Sequence, residues 1–275
     1  MVVVPVANMH SRPTRDSDLV SQALLGANVR VLGRMQGWLR IETEDGYPGW
    51  VARRALDPTA RGRGYAAAGA VVTTGALFTN VYATPDIGRR PPMLTAPFGV
   101  RLEVDAVRGS AREGWVRVRL PDRRRGWLRE GDTAAPTSPL TVPESAALAR
   151  RFLGLPYLWG GRSSFGFDCS GFTQMLARSR GIRIPRDAHL QAEWSLGRAV
   201  LRENLRPGDF LYFGAASDHI THTGMYLGRA EYIHATTQGR PGVQVGRLGN
   251  EPRSRLLVAC RRFSRDVVRG RSVDR

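Results

Sequence analysis

A cysteine at position 169 stands where a glycine-rich run, WGGRSSFGFD, gives way to the pattern CSGFTQMLARSRG at 169–181. In that pattern Phe172, Met175 and Leu176 share one face, Arg178 and Arg180 sit in the last turn, and Gly181 closes the run, so a helix begins at the cysteine. A thiol at a helix start meets unpaired N–H groups and the positive end of the macrodipole. Both favour the thiolate and predict a lowered pKa. The same N–H groups can stabilise the oxyanion of acyl transfer. A nucleophilic thiol also needs an imidazole as base, and that imidazole needs an orienting partner. His222, Gly224 and Tyr226 share one face of a strand by period two, and Tyr232, His234 and Thr236 share one face of the next, with Gly228 allowing a tight turn between them. Paired antiparallel, these strands put both imidazoles on the side that faces the helix of Cys169.

Each of these residues has a plainer alternative, since most helix-start cysteines are inert and most strand histidines serve a backbone group. Cys169, His222 and His234, with His219, are also legitimate zinc ligands. A closed zinc site requires four ligands and gives the glycine-rich loop no part, so neither metal nor cofactor is expected. Asp168 reads as the helix cap and Cys260, in an apolar strand, as a small buried hydrophobe. His10, His189 and His219 have no partner at a meaningful spacing.

Two kinds of element must position this set. Residues 37–51 (GWLRIETEDGYPGWV) and 114–128 (GWVRVRLPDRRRGWL) both open on Gly-Trp, alternate, turn and return to Gly-Trp. They read as a duplicated hairpin. Alternating strands precede each copy, at 28–33 and 100–104, and predict two small β-barrels at 1–57 and 65–133. A proline-rich, uncharged stretch at 134–143 suits a linker. Beyond it, helices at 144–154, 169–181 and about 187–197 precede β-rich runs at 210–213, 222–228, 232–236 and 256–260, which gives an α+β domain over 144–265 followed by a basic tail at 266–275.

Taken in order, PYLWGGRSSFGFDCSGF, RPGDFLYF, HTGMYLG and YIHA strongly resemble the NlpC family of papain-like cysteine peptidases, over about residues 144–264. LVSQALLG at 19–26, the Gly37-Trp38 strand and GYPGWV at 46–51 resemble a bacterial SH3-like domain; the second copy matches less well. The resemblance implies a papain-like domain behind two SH3-like barrels. It implies Cys169 as nucleophile, His222 as general base and His234 as the orienting third member. Tyr157 of PYLWGG matches the tyrosine that reaches the oxyanion side, with packing as its alternative. The combination resembles a subgroup that hydrolyses the γ-D-glutamyl to diamino acid bond of murein peptides, in which an acid grips the free amine of L-alanine. The matching acid is Asp187 of IPRDAHLQ, which serves equally well as a helix N-cap. Ser170 is matched to a contact with the glutamyl carboxylate. Tyr47, and less directly Asp18, are matched to a contact from the first barrel. Ala188 stands where the subgroup commonly has Ser.

All 41 basic residues are Arg, against 24 acids, for a net charge of +17. They are scattered, with one tight cluster at Arg123–Arg125 and no aromatic platform beside it, which argues against nucleic acid. The field is compatible with an anionic wall polymer as partner beside the murein peptide. No run reaches membrane-spanning length, the start MVVVPVANMH lacks a signal-peptide pattern, and the chain reads as cytoplasmic. The sequence is silent on oligomeric state. The competing functions are a non-catalytic wall-binding protein and a thiol acyltransferase or amidase on the same scaffold.

Overall fold

The structure, a computed structural model, describes residues 1–57, 64–106, 112–134, 138–249 and 252–264. Residues 107–111 of the second barrel's span, 135–137 of the expected linker and the expected tail at 266–275 lie outside the described residues. The chain divides into two compact units, Met1–Thr137 and Ser138–Arg275.

The first unit is built from strands. β1 (Val6–His10), β2 (Leu19–Leu24), β3 (Arg30–Met35), β4 (Trp38–Glu42) and β5 (Pro48–Ala52) form one sheet in the order β2-β1-β5-β4-β3. Alternation turns Met9, Leu39, Ile41 and Val51 into a common core, while the neighbouring positions face out. β6 (Val71–Thr74), β9 (Arg101–Val104), β10 (Trp115–Arg119), β11 (Arg125–Arg129) and β12 (Thr133–Ala134) form a second sheet in the order β11-β10-β9-β6-β12, and β7 (Phe78–Val81) pairs with β8 (Leu94–Pro97). Its core gathers Val81, Leu102, Val118 and Leu128, and Leu25 from the first sheet's segment joins it. The duplicated hairpin is therefore β4–β5 and β10–β11, each copy an antiparallel pair. These are two SH3-like modules in tandem.

The second unit is α+β. Helix α1 (Val142–Arg151) starts two residues before the expected 144. Thr141 accepts from the Glu144 N–H and the Glu144 carboxylate accepts from the Thr141 N–H, a capping box. After the short pair β13 (Arg162–Ser163) and β14 (Gly166–Phe167) comes α2 (Cys169–Ser179), then α3 (Ala188–Glu193), which is shorter than the helix expected to 197. A six-stranded sheet follows, with β15 (Arg198–Ala199), β16 (Phe210–Ala216), β17 (His219–Gly228), β18 (Glu231–Thr236), β19 (Gly242–Arg247) and β20 (Leu257–Arg262) in the order β15-β20-β16-β17-β18-β19. Helix α2 packs on β17 and β18. The turn between those strands is tight, with Gly228 (φ 100°) paired with Glu231. Its left-handed residues include Arg229 (φ 51°) and Ala230 (φ 66°) beside Gly228. Cys260 is buried in the sheet core beside Leu211 and Phe213. Among the described residues no helix is long and apolar enough to cross a membrane.

Candidate active site

The nucleophile's position is fixed by the capping of α2. Asp168 is the N-cap: its Oδ1 accepts from the Gly171 N–H at 2.6 Å, and its Oδ2 accepts from the Gly160 N–H at 3.0 Å. A Cβ at residue 171 would fall 2.1 Å from the Gly161 carbonyl oxygen, so only glycine lets the helix start press on the preceding loop. Phe167 and Phe172 stack edge-to-face with Phe152 at 5.5 and 6.1 Å, which anchors the apolar side of the same turn. Cys169 is thereby buried at 8% exposure.

Arg186 completes this cap, and no pattern in the sequence marks it. The guanidinium grips Asp168 with both branches, at 3.0 Å to Oδ1 and 2.6 Å to Oδ2, and donates to Ser170 Oγ at 2.8 Å. The residue as a whole is 2% exposed. A bidentate, buried pair of this kind is costly to break, about 3–5 kcal/mol when one partner is removed. Gln191 ties α3 to the same place, accepting from Thr173 Oγ1 at 3.0 Å and donating to the Ser170 carbonyl at 3.1 Å.

The histidines arrive from β17 and β18. Met225 pairs with Ile233 and Tyr226 with Tyr232, so Gly224 lies against His234 and His222 is diagonal to it. A Cβ at residue 224 would sit 2.9 Å from the Ile233 carbonyl oxygen and 3.1 Å from His234 Cβ; glycine there lets the two rings meet across the strands. They do so with His222 Nε2 at 2.7 Å from His234 Nδ1. With its Nε2 so occupied, His222 has Nδ1 left for the thiol. The thiol lies on the helix packed against β17, and the Thr223 backbone, next to His222, is among the groups that draw its pKa down.

Electrostatics here departs from the expectation of a lowered thiol pKa. Burial, then the Asp168 carboxylate, push the Cys169 thiol up to about 12, against the opposing pull of the Thr223 backbone, Arg186 and the Ser170 backbone. The physical reason is that the cap answers the helix's N–H groups with a carboxylate, and burial penalises any lone charge. The His222 imidazole is held well below its ordinary 6.5, by burial first and then by the charges of Arg253 and His234. His234 is pushed to about 3 by burial and Arg253. The resting pair is therefore neutral thiol and neutral imidazole, and the ionisation open to it is an internal proton transfer that creates both charges together. Neutral His234 serves that transfer: it can accept at Nδ1 from His222 Nε2–H, which an imidazolium could not.

Of the other residues singled out from sequence, Tyr157 bridges to Phe167 and lies in the fields of Cys169 and Asp168; burial raises its phenol pKa. Ser170 is buried and hydrogen-bonded within the Asp168–Arg186 cluster. Asp187 is half-buried at the N-cap position of α3, yet its side chain makes no capping bond. Tyr47 and Asp18 belong to the first unit, Tyr47 half-buried against the first barrel's core and Asp18 exposed at the start of β2. His10 does have a partner, Trp38, edge-on at 5.4 Å. Among the described residues no group of three or more His, Cys, Asp and Glu gathers as a metal site.

Residues 154–262 match the model of the NlpC/P60 family, and residues 9–56 match that of the bacterial dipeptidyl-peptidase SH3 domain. The γ-D-glutamyl-L-lysine dipeptidyl-peptidase of Bacillus cereus is 33% identical over 242 residues, covering 81% of this chain and 68% of the relative. The protein of the same name from Bacillus subtilis is 40% identical over 113 residues, 40% of this chain and 37% of its own. An NlpC/P60 family crystal structure from Bacillus cereus superimposes with a TM-score of 0.81 at 26% identity, covering 95% of this chain and 98% of that one.

Proposed function

Because the chain belongs to the NlpC/P60 family of cysteine peptidases and carries its bacterial SH3 domain, we propose that it hydrolyses the γ-D-glutamyl to L-diamino acid bond of murein peptides whose N-terminal L-alanine amine is free. The observation that carries the reading is the 2.7 Å contact between His222 Nε2 and His234 Nδ1 on strands packed against the helix that Cys169 opens.

In this reading Cys169 Sγ attacks the γ-carbonyl as its proton passes to His222 Nδ1. The tetrahedral oxyanion is met by the N–H at the start of α2 and by the Tyr157 hydroxyl, whose raised pKa keeps it a donor. Collapse breaks the C–N bond, and the His222 imidazolium gives its proton to the leaving amine. Water, deprotonated by the same imidazole, then hydrolyses the thioester and restores the thiol. His234 orients His222 throughout.

Asp187, half-buried at the start of α3, is assigned the substrate's ammonium group as the acid that the resemblance matches to this role. Ser170 is assigned the glutamyl carboxylate. Peptidoglycan-peptide hydrolysis is in keeping with the names of the relatives, which are peptidases and hydrolases of glutamyl and murein bonds. The test is to incubate the protein with L-Ala-γ-D-Glu-diaminopimelate, its lysine counterpart and their N-acetylated forms, and to identify products by mass. Release of L-Ala-D-Glu from the free-amine peptides, with kcat/KM lower by on the order of 10²-fold on the acetylated ones, is the expected result. Equal rates on free and acetylated peptides would remove the role given to Asp187.

A further inference from the structure

The duplicated hairpin supplies an internal comparison. In β4–β5 the outward face pairs Trp38 with Ala52, Arg40 with Trp50 and Glu42 with Pro48. In β10–β11 the corresponding pairs are Trp115 with Arg129, Arg117 with Trp127 and Arg119 with Arg125. The inward positions stay apolar or glycine in both copies. Of the outward six, both tryptophans and the first arginine are shared, and the remaining three have become arginine. The second barrel keeps the scaffold and recodes one face.

The recoded face is ordered. Arg129 lies over the Trp115 ring at 5.2 Å and Arg117 over the Trp127 ring at 5.6 Å. Asp105 Oδ2 holds Arg117 Nε at 3.2 Å and Arg125 Nε at 3.1 Å, and Glu103 holds Arg119 at 2.7 Å. The two acids leave the face with an excess of positive charge, and Arg119 and Arg125 remain 59% and 63% exposed. A guanidinium fixed on an indole loses less entropy when its N–H fork meets an anionic oxygen, and that fork fits phosphate. Successive outward residues along a strand are about 6.8 Å apart and cross-strand pairs about 5 Å, so the cations form a grid.

We propose that the outward face of β9, β10 and β11 is a docking surface for a linear polyol-phosphate polymer. The choice among polyanions follows from the indoles. Their ring surface is occupied by Arg129 and Arg117, so bases have no free platform on which to stack and neutral sugars none to cover. The ligand is recognised by its phosphodiesters alone. This inference stands independently of the peptidase reading, and its test does not use activity as its readout.

The experiment measures binding of the full chain to poly(glycerol phosphate) over a series of salt concentrations, against single-stranded DNA of equal charge. The variant Arg119→Gln, Arg125→Gln, Arg129→Gln should lose at least about tenfold in affinity, and the slope of log K against log salt should shrink by roughly two to three. The triple change Arg30→Gln, Arg34→Gln, Arg40→Gln in the first barrel removes the same charge and should leave binding within about twofold, since distant exposed charges are screened. If the triple variant of the second barrel does not fold, Arg125→Gln and Arg129→Gln singly should each shrink the slope by roughly 0.7. The proposal is overturned by equal losses in the two barrels, by absence of polymer binding at low salt, or by DNA binding as tightly with the same dependence on these arginines.

Discussion

Arg186 in the catalytic unit and Arg119 in the second barrel each hold an acid, at 2.6 and 2.7 Å, and the two pairs do different work. The Arg186 side chain is 1% exposed and its partner caps the helix that presents Cys169. The Arg119 side chain is 59% exposed on an outward sheet face. Buried, the pair is a structural commitment, because either charge left alone is intolerable in a low-dielectric interior. Exposed, it is a weak clasp that water and salt can replace, which leaves the arginine available to another anion. Identical chemistry becomes a scaffold in one place and an available surface in the other, and burial decides which.

That contrast can be broken or sharpened by mutation. Within the buried site the largest effect belongs to His222→Ala, which should lower kcat/KM by on the order of 10³-fold or more while thermal unfolding hardly moves, read by murein-peptide hydrolysis beside a melting curve. Arg186→Leu should come next, costing about 3–5 kcal/mol in denaturant unfolding because it strands the Asp168 carboxylate. Asp168→Asn combined with Arg186→Leu should recover part of that loss, as both charges are then gone. Were the single Arg186 variant no less stable than the parent, the contrast with the barrel would collapse. His234→Ala should cost about 10- to 100-fold in kcat, since it orients without reacting, and His234→Asn, which keeps an acceptor at a similar place, should cost less.

The pH profile probes the same burial. With His222 held well below 6.5 and His234 near 3, the imidazoles stay neutral as pH falls through 6.5, so kcat/KM should remain within about twofold down to pH 5.5. Stability has the opposite sensitivity. The unfolded histidines bind protons below 6.5 that the folded ones refuse, so the stability present above 6.5 should drain as pH falls toward the folded values. An acid limb of activity centred at 6.5 would contradict the burial of His222. Smallest of all, Arg119→Ala should change unfolding free energy by no more than about 1 kcal/mol.

The sequence disclosed some of this and hid the rest for physical reasons. Period two placed His222 and His234 on facing strands, and the helix pattern placed Cys169 at a helix start, because those periods are the geometry itself. Arg186 stayed hidden: with 41 arginines in the chain, nothing local distinguishes the one whose charge is buried. The raised thiol pKa is not legible in the helix pattern, because burial and then the carboxylate of the capping residue outweigh the macrodipole. The early start of α1 was legible in Thr141-x-x-Glu144, a capping box that lay inside the stretch read as linker. The arginine face of the second barrel needed strand register, since only pairing shows that Arg129 meets Trp115 and Arg117 meets Trp127.

The central claim is that Cys169 becomes covalently acylated during turnover. An acid quench of a single turnover on L-Ala-γ-D-Glu-diaminopimelate, followed by digestion and mass analysis, should find the L-Ala-γ-D-Glu acyl group as a thioester on the peptide that contains Cys169. That adduct should be absent in Cys169→Ala, with turnover lost by on the order of 10³-fold or more. Substantial hydrolysis by Cys169→Ala, or an acyl group found on Cys260 instead, would contradict the account.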